Sequence, residues 1–148
     1  MNRFVIDTNI LLYYLRGKET YRRYEQRLQL FDGNKRIFIS SVTLGELEGF
    51  QARQKWGKAK MQKLRELIAD LFVIDVSAAA NDLLTAYGTL LAYSKNAHPE
   101  KPLGRSIGIG NNDLWIAATA YTLGATLIST DVDFDHLHET FITVMKPE

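Results

Sequence analysis

Five short apolar runs, rich in β-branched and aromatic residues, constrain this chain more than any other feature. They occupy positions 4–6, 37–39, 72–74, 126–128 and 141–144, and they predict buried strands. The segments between them carry apolar stripes with helical spacing. The stripes are Tyr21, Tyr24, Leu28 and Phe31; Met61, Leu64, Ile68 and Leu71; and Ala80, Leu83, Tyr87 and Leu90. Strands that alternate with helices favour parallel pairing, so the sequence predicts a three-layer α/β/α sandwich around a central, mainly parallel five-stranded sheet.

Length and composition exclude several classes of protein. The 148 residues suit one domain over positions 1–148. Because the chain has no cysteine, it can form no disulfide, zinc ribbon or iron–sulfur cluster, and we expect a cytoplasmic location. Asp7 and Asn9 interrupt the first apolar run, so we expect neither an export signal nor a membrane span. The formal net charge of +1 argues against a basic coat but permits a local basic patch.

The segment 96–110, NAHPEKPLGRSIGIG, interrupts the alternation of strands and helices. It holds two of the three prolines and three of the ten glycines of the chain, so it cannot be helical throughout. Long loops inside compact domains are usually functional or disordered. Because a helical pattern resumes at once with Asn111, we interpret this segment as a loop beside a functional site.

Four acidic residues lie where strands end or helices begin: Asp7, Glu46, Asp113 and Asp131. Parallel strands bring their carboxyl ends to one edge of a sheet, so we expect these side chains to share one crevice. Each residue also has a purely structural explanation. Asp7 and Asp131 are candidate helix caps, and the segment from Thr43 to Glu46 matches the capping-box pattern.

Repulsion among clustered carboxylates favours a cation between them. It costs about 1 to 4 kcal/mol per pair, which helix caps of about 1 kcal/mol do not clearly offset. An all-oxygen site for Mg²⁺ or Mn²⁺ is therefore predicted, and such an ion suits hydrolysis of phosphodiesters by an activated water. The candidate ligands are Asp7, Asp113 and Asp131, and Glu46 either completes the set or acts as general base. Asn9 either fixes the orientation of Asp7 or caps a helix.

Four blocks of sequence resemble the PIN-domain ribonucleases and, within them, the VapC-type toxins of bacterial toxin–antitoxin pairs. The blocks are VIDTNIL at the start, SSVTLGEL near position 45, NDLWIAATA after position 111 and LISTDVDF near position 130. The acidic quartet of the family corresponds here to Asp7, Glu46, Asp113 and Asp131. Thr130 corresponds to a small hydroxyl residue that is often found beside the last carboxylate.

The resemblance implies an endoribonuclease that depends on Mg²⁺ or Mn²⁺. It also implies a homodimer and a cognate antitoxin whose tail occupies the active-site groove. Two positions leave alternatives open. Asp133 could replace Asp131 as the fourth acidic residue or share its role. Glu48 points about 200° around the helix from Glu46, so only one of the two faces the crevice, and the alignment of the blocks favours Glu46.

RNA contacts require positive charge beside the acidic crevice. Lys101 and Arg105, in the irregular loop, are the favoured candidates. Trp115 is expected to pack in the core, the alternative being a platform for an unpaired base. Two other functions stay open: an RNA-processing nuclease outside any toxin–antitoxin pair, and a module that binds RNA or protein without cutting. Hydrolases that use Asp7 as a phosphoryl acceptor are disfavoured, because they need a second aspartate where this chain has Asn9.

Overall fold

A computed structural model describes residues 3–76 and 81–147. Its strands are β1 (Arg3–Ile6), β2 (Arg36–Ser40), β3 (Phe72–Ile74), β4 (Thr126–Ile128) and β5 (Thr143–Met145). Its α-helices are α1 (Thr8–Tyr14), α2 (Lys18–Leu28), α3 (Ser41–Gln54), α4 (Lys58–Ala69), α5 (Asn81–Ser94) and α6 (Asn111–Leu123). A 3₁₀ helix covers Val132–Leu137.

These strands form one sheet in the order β3-β2-β1-β4-β5. Every neighbouring pair is parallel, and β1 lies at the centre, with Phe4 opposite both Ile37 and Thr126. The predicted parallel sheet of five strands is confirmed. Because all strands run the same way, their carboxyl ends lie along one edge of the sheet.

Alternate residues of the strands enter two separate cores, one on each face of the sheet. Val5 and Leu127 face a core built mainly from α5, α6 and the 3₁₀ helix. Ile6 and Ile128, their neighbours in sequence, face a second core with α1, α2 and α4. This side-chain alternation is the normal period of a strand, and it produces the three predicted layers.

The last strand differs from its predicted bounds of 141–144. The backbone N–H groups of Phe141 and Ile142 donate to the Leu137 carbonyl, at 3.1 and 3.2 Å. Phe141 lies in a turn, and Ile142 forms an isolated parallel bridge with His138, so both residues precede β5. Their apolar side chains pack on the core, and the sequence pattern reflects that burial rather than membership of the five-stranded sheet.

The first apolar stripe extends beyond its helix. Helix α2 ends before Gln29, which has a left-handed backbone with φ of 51°, so Phe31 lies outside the helix but still packs on the second core. In the third stripe, Leu83 and Leu90 are buried on α5 as expected. Ala80, the first residue of that stripe, lies outside the described residues.

The segment 96–110 contains neither helix nor strand, as predicted. It is nevertheless held by specific contacts. Asn96, with φ of 57°, accepts hydrogen bonds at Oδ1 from the N–H groups of Leu103 and Gly104, at 3.1 and 3.0 Å. The N–H group of Ile107 donates to the Ser94 carbonyl at 2.7 Å. Within the described ranges, no helix is long and apolar enough to cross a membrane.

Candidate active site

Asp7 lies directly after β1, at the carboxyl edge of the sheet, and is only 4% exposed. Its Oδ1 accepts the backbone N–H of Asn9 at 2.6 Å, so Asp7 caps α1. Asn9 lies inside α1 and is not its cap. It contacts Asp7 through its backbone N–H, and its side chain is exposed. The other carboxylate oxygen of Asp7 accepts a hydrogen bond from the hydroxyl of Ser129.

Ser129 follows β4 and contacts the ends of β1 and β5. It was not among the site residues predicted from the sequence. Its N–H donates to the Met145 carbonyl at 3.1 Å, which ties the end of β4 to the end of β5. Its hydroxyl, while donating to Asp7, accepts the N–H of Asp131 at 2.9 Å. Thr130, the predicted hydroxyl residue, is one position further along and partly buried. The available signal was the position of Ser129, directly after an apolar strand that ends at the acidic edge.

Glu46 faces the same crevice from α3. Its Oε1 accepts the hydroxyl of Thr8 at 2.7 Å, and the hydroxyls of Thr8 and Thr43 lie 3.2 Å apart. The predicted capping box at Thr43 is wrong, because α3 begins earlier and its cap is Ser40, which accepts the Val42 N–H at 3.1 Å.

Glu48, the alternative to Glu46, is exposed. The two side chains therefore point in different directions, as helical geometry requires, and the one on the crevice is Glu46.

Three carboxylates come close enough to share an ion. Oxygens of Asp113, Asp131 and Asp133 all lie within 4.8 Å of one another. Asp113 is in the first turn of α6, whose cap is Gly110. Asp131 caps the 3₁₀ helix by accepting the Asp133 N–H at 2.9 Å, and this tight turn brings the side chain of Asp133 to the group. Among the described residues, the third member of this group is Asp133 and not the predicted Asp7. Asp7 lies near the group and acts on Asp113 through its charge.

The acidic residues interact strongly through their charges. Burial, reinforced by Asp131, Asp7, Glu46 and Asp133 in that order, raises the pKa of Asp113 to about 7. Burial also raises the pKa of Asp7, against the opposing effect of its hydrogen bonds from Ser129 and Asn9. These two carboxylates are therefore held where negative charge is costly, and a cation among them would remove that cost.

The two residues predicted to contact RNA lie on the surface of the loop 96–110. Lys101 and Arg105 are both exposed. Lys101 Nζ lies 5.7 Å from the centre of the Phe141 ring, and that ring lies 5.9 Å from the ring of Tyr121. Tyr121 is near the end of α6 that is opposite Asp113, so Lys101 is displaced along α6 from the acidic group.

Trp115 is partly buried and packs against α5. Its ring centre lies 4.1 Å from that of Tyr87, with the planes inclined by 31°. The Tyr87 hydroxyl in turn donates to Asn111 Oδ1 at 3.2 Å. Trp115 thus joins α5 to the first turn of α6, and it contributes to the partly buried margin of the core.

Comparison with known proteins identifies the family. The PIN domain model matches residues 4–139. The chain belongs to the PIN domain family. Ribonuclease VapC2 of Rickettsia felis is 30% identical over 129 residues, 87% of each chain. Ribonuclease VapC1 of Haemophilus influenzae strain R2866 is 32% identical over 132 residues, again 87% of each. The resemblance to VapC-type proteins is therefore confirmed.

Solved structures of toxin–antitoxin complexes share the fold of this PIN domain. VapBC2 of Rickettsia felis, bound to a DNA fragment from its promoter, aligns with a TM-score of 0.75 and 26% identity, covering 97% of this chain and 98% of the other. VapBC-1 of nontypeable Haemophilus influenzae aligns with a TM-score of 0.71 and 24% identity, covering 98% of both chains.

Proposed function

We propose that this PIN domain is a divalent-metal-dependent endoribonuclease and acts as the toxin of a toxin–antitoxin pair. The observation that carries the proposal is the group formed by Asp113, Asp131 and Asp133, whose oxygens lie within 4.8 Å of one another. Two relatives at 30% and 32% identity bear the name ribonuclease VapC. That name supports RNA as the substrate.

The residues present fit Mg²⁺ or Mn²⁺. Both ions prefer carboxylate oxygens. Burial, and after it the negative charge of neighbouring carboxylates, raises the pKa of Asp113 to about 7, and a divalent ion would neutralise that charge. We assign Asp7, Asp113 and Asp131 as ligands, as the sequence predicts, with Asp133 added by its position. When bound, such an ion would act as a Lewis acid at the phosphodiester and make water a better nucleophile.

The protein side chains orient and deprotonate the nucleophile. Thr8 holds Glu46 by donating to Oε1, so we assign Oε2 to accept a proton from the attacking water. Ser129 holds Asp7 through its hydroxyl and the backbone of Asp131 through the same oxygen. Such supporting hydrogen bonds fix the orientation of acidic groups before substrate arrives.

Positive charge and partners complete the proposal. Lys101 and Arg105 are assigned to phosphates of the RNA strand, with Lys101 contacting nucleotides displaced from the cleaved bond. A cognate antitoxin is proposed as partner because the structural neighbours are toxin–antitoxin complexes. A homodimer is proposed as well.

The first experiment measures cleavage of single-stranded RNA. Purified protein should cut RNA in millimolar Mg²⁺ or Mn²⁺ and lose that activity in excess EDTA. Asp113→Asn should abolish cleavage, whereas Asp82→Asn, which removes an exposed first-turn carboxylate of α5, should not. Cleavage that persists in EDTA would refute the metal mechanism.

A second experiment separates the toxin from other RNA-acting proteins. Expression should arrest growth unless a small protein encoded beside it is co-expressed. Cleavage in the tube without growth arrest would indicate a housekeeping nuclease instead. RNA binding without cleavage would indicate a non-catalytic module.

A further inference from the structure

Lys146 follows β5 directly, at the same edge of the sheet as the acidic group. Its Nζ lies 2.7 Å from Oδ1 of Asp135 and donates to the backbone carbonyl of Asp131 at 3.0 Å. The side chain is 36% exposed. It therefore lies along the surface of the protein, with its ammonium group directed at a neighbouring segment rather than at solvent alone.

The two contacts of Lys146 bracket the segment that carries Asp133. One is made to Asp131, which caps the 3₁₀ helix, and the other to Asp135, four residues further on. Asp131 and Asp133 are two of the three carboxylates in the acidic group. Lys146 thus crosses the turn on which both side chains depend for their direction.

The chain positions Lys146 for these contacts through its backbone. Ser129 at the end of β4 donates to the carbonyl of Met145, the residue before Lys146, at 3.1 Å. The hydroxyl of Ser129 holds the N–H of Asp131 at 2.9 Å. The N–H and the carbonyl of Asp131 are consequently held by two different segments, Ser129 on one and Lys146 on the other.

Stability alone does not account for this arrangement. Ion pairs at partly exposed positions contribute little to the free energy of folding. An outer contact that fixes the direction of a metal ligand has a much larger effect on ion binding, typically 10- to 100-fold in affinity.

We propose that Lys146 is a positioning residue for Asp131 and Asp133, fixing the 3₁₀ turn so that both carboxylates point at one ion. The inference rests on the proposed function of this site. It goes beyond that function by assigning a cation outside the acidic residues to the assembly of the site.

The direction in which metal affinity changes when Lys146 is replaced distinguishes a positioning role from a purely electrostatic one. Removing a nearby positive charge makes the site more negative, so a purely electrostatic role predicts tighter binding of a divalent cation. A positioning role predicts weaker binding, because the ligands lose their fixed direction. A direct contact between Lys146 and an RNA phosphate predicts a higher KM for RNA with unchanged metal affinity.

The experiment uses Lys146→Met, Lys146→Gln and Lys146→Arg. Lys58→Met is the matched control, since it removes an equal charge from the exposed start of α4. Mn²⁺ binding without RNA is measured by calorimetry, and thermal midpoints are recorded in EDTA. Cleavage is measured across Mn²⁺ and RNA concentrations.

Lys146→Met should raise the Kd for Mn²⁺ about 10-fold, with a thermal midpoint close to that of wild type. Its kcat should fall at low Mn²⁺ and recover at saturating Mn²⁺, with little change in KM for RNA. Lys146→Arg should retain most of the affinity, and Lys58→Met all of it. If Lys146→Met fails to fold, Lys146→Gln provides the same test.

Unchanged or tighter Mn²⁺ binding by the Met and Gln variants would overturn the role of Lys146 while leaving the proposed nuclease intact. Wild-type protein that neither binds Mn²⁺ nor shows chelator-sensitive cleavage would overturn the nuclease proposal itself. The wild-type measurement therefore separates failure of the function from failure of the positioning role.

Discussion

Replacing Asp113 with asparagine should stabilise the metal-free protein at neutral pH. Burial and four neighbouring carboxylates raise the pKa of Asp113 from 3.8 to about 7. In the unfolded chain the group ionises near its ordinary value, so above that pH the folded state bears a cost that the unfolded state does not. The asparagine side chain keeps the shape and removes the charge.

The size of the effect follows from the pKa. At about 1.4 kcal/mol per pKa unit, a rise from 3.8 to about 7 corresponds to roughly 4 kcal/mol. Solvent screening of this partly buried group reduces the expected gain to about 2 kcal/mol. For a chain of this size that is roughly 4 to 8 °C in thermal midpoint.

The raised pKa of Asp113 also determines how the free energy of unfolding changes with pH. Because the folded pKa is raised, the free energy of unfolding of wild type falls as pH increases from about 4 to about 7 and then levels off. The gain from Asp113→Asn should therefore be small near pH 4 and largest above pH 7.

Thermal unfolding in EDTA, measured between pH 4 and pH 8, tests this reasoning. Asp82→Asn is the matched control, since it also removes a carboxylate from the first turn of a helix but resides at an exposed position. Mg²⁺ should then stabilise wild type more than Asp113→Asn. A variant that is no more stable than wild type at pH 7.5 in EDTA would refute the repulsion argument.

Two further substitutions test contacts that hold the site and the second core. Ser129→Ala should lower the free energy of unfolding by about 1 to 3 kcal/mol, because Asp7 and the Asp131 N–H lose a buried hydrogen-bond partner. Thermal or urea unfolding measures this, and stability equal to that of wild type would contradict it. Glu25→Gln should cost roughly 2 kcal/mol yet leave RNA cleavage unchanged, because Glu25, 5% exposed, accepts the Tyr14 hydroxyl and three backbone N–H groups away from the acidic edge. Loss of cleavage in a folded Glu25→Gln protein would place this carboxylate in the site.

Local pattern was sufficient for the architecture. Short β-branched runs separated by amphipathic segments leave few arrangements other than a parallel sheet covered on both faces. Because such a sheet collects its carboxyl ends on one edge, the positions of Asp7 and Asp131 after their strands already brought them together in the analysis of the sequence. The burial of Asp7 is visible only in the folded chain.

Local pattern failed where the exact bounds of a helix, or contacts that a helical residue makes outside its own helix, decide the outcome. The Thr43 capping box was wrong because α3 begins at Ser41, so the Thr43 side chain faces Thr8 across the sheet edge instead. Glu25 lies on α2, a helix composed mostly of charged residues, and local pattern therefore places it in solvent. Packing instead buries it against backbone N–H groups of the following loop.

By itself, the sequence determined the parallel sheet, its two covered faces and the edge at which the acidic residues collect, because strand and helix periods are local properties. The tertiary structure alone decided that Asp133 joins Asp113 and Asp131, and that Ser129 and Lys146 hold that turn from two sides. These contacts depend on the directions of side chains that extend from different helices, strands and turns, and those directions become fixed only when the elements pack together.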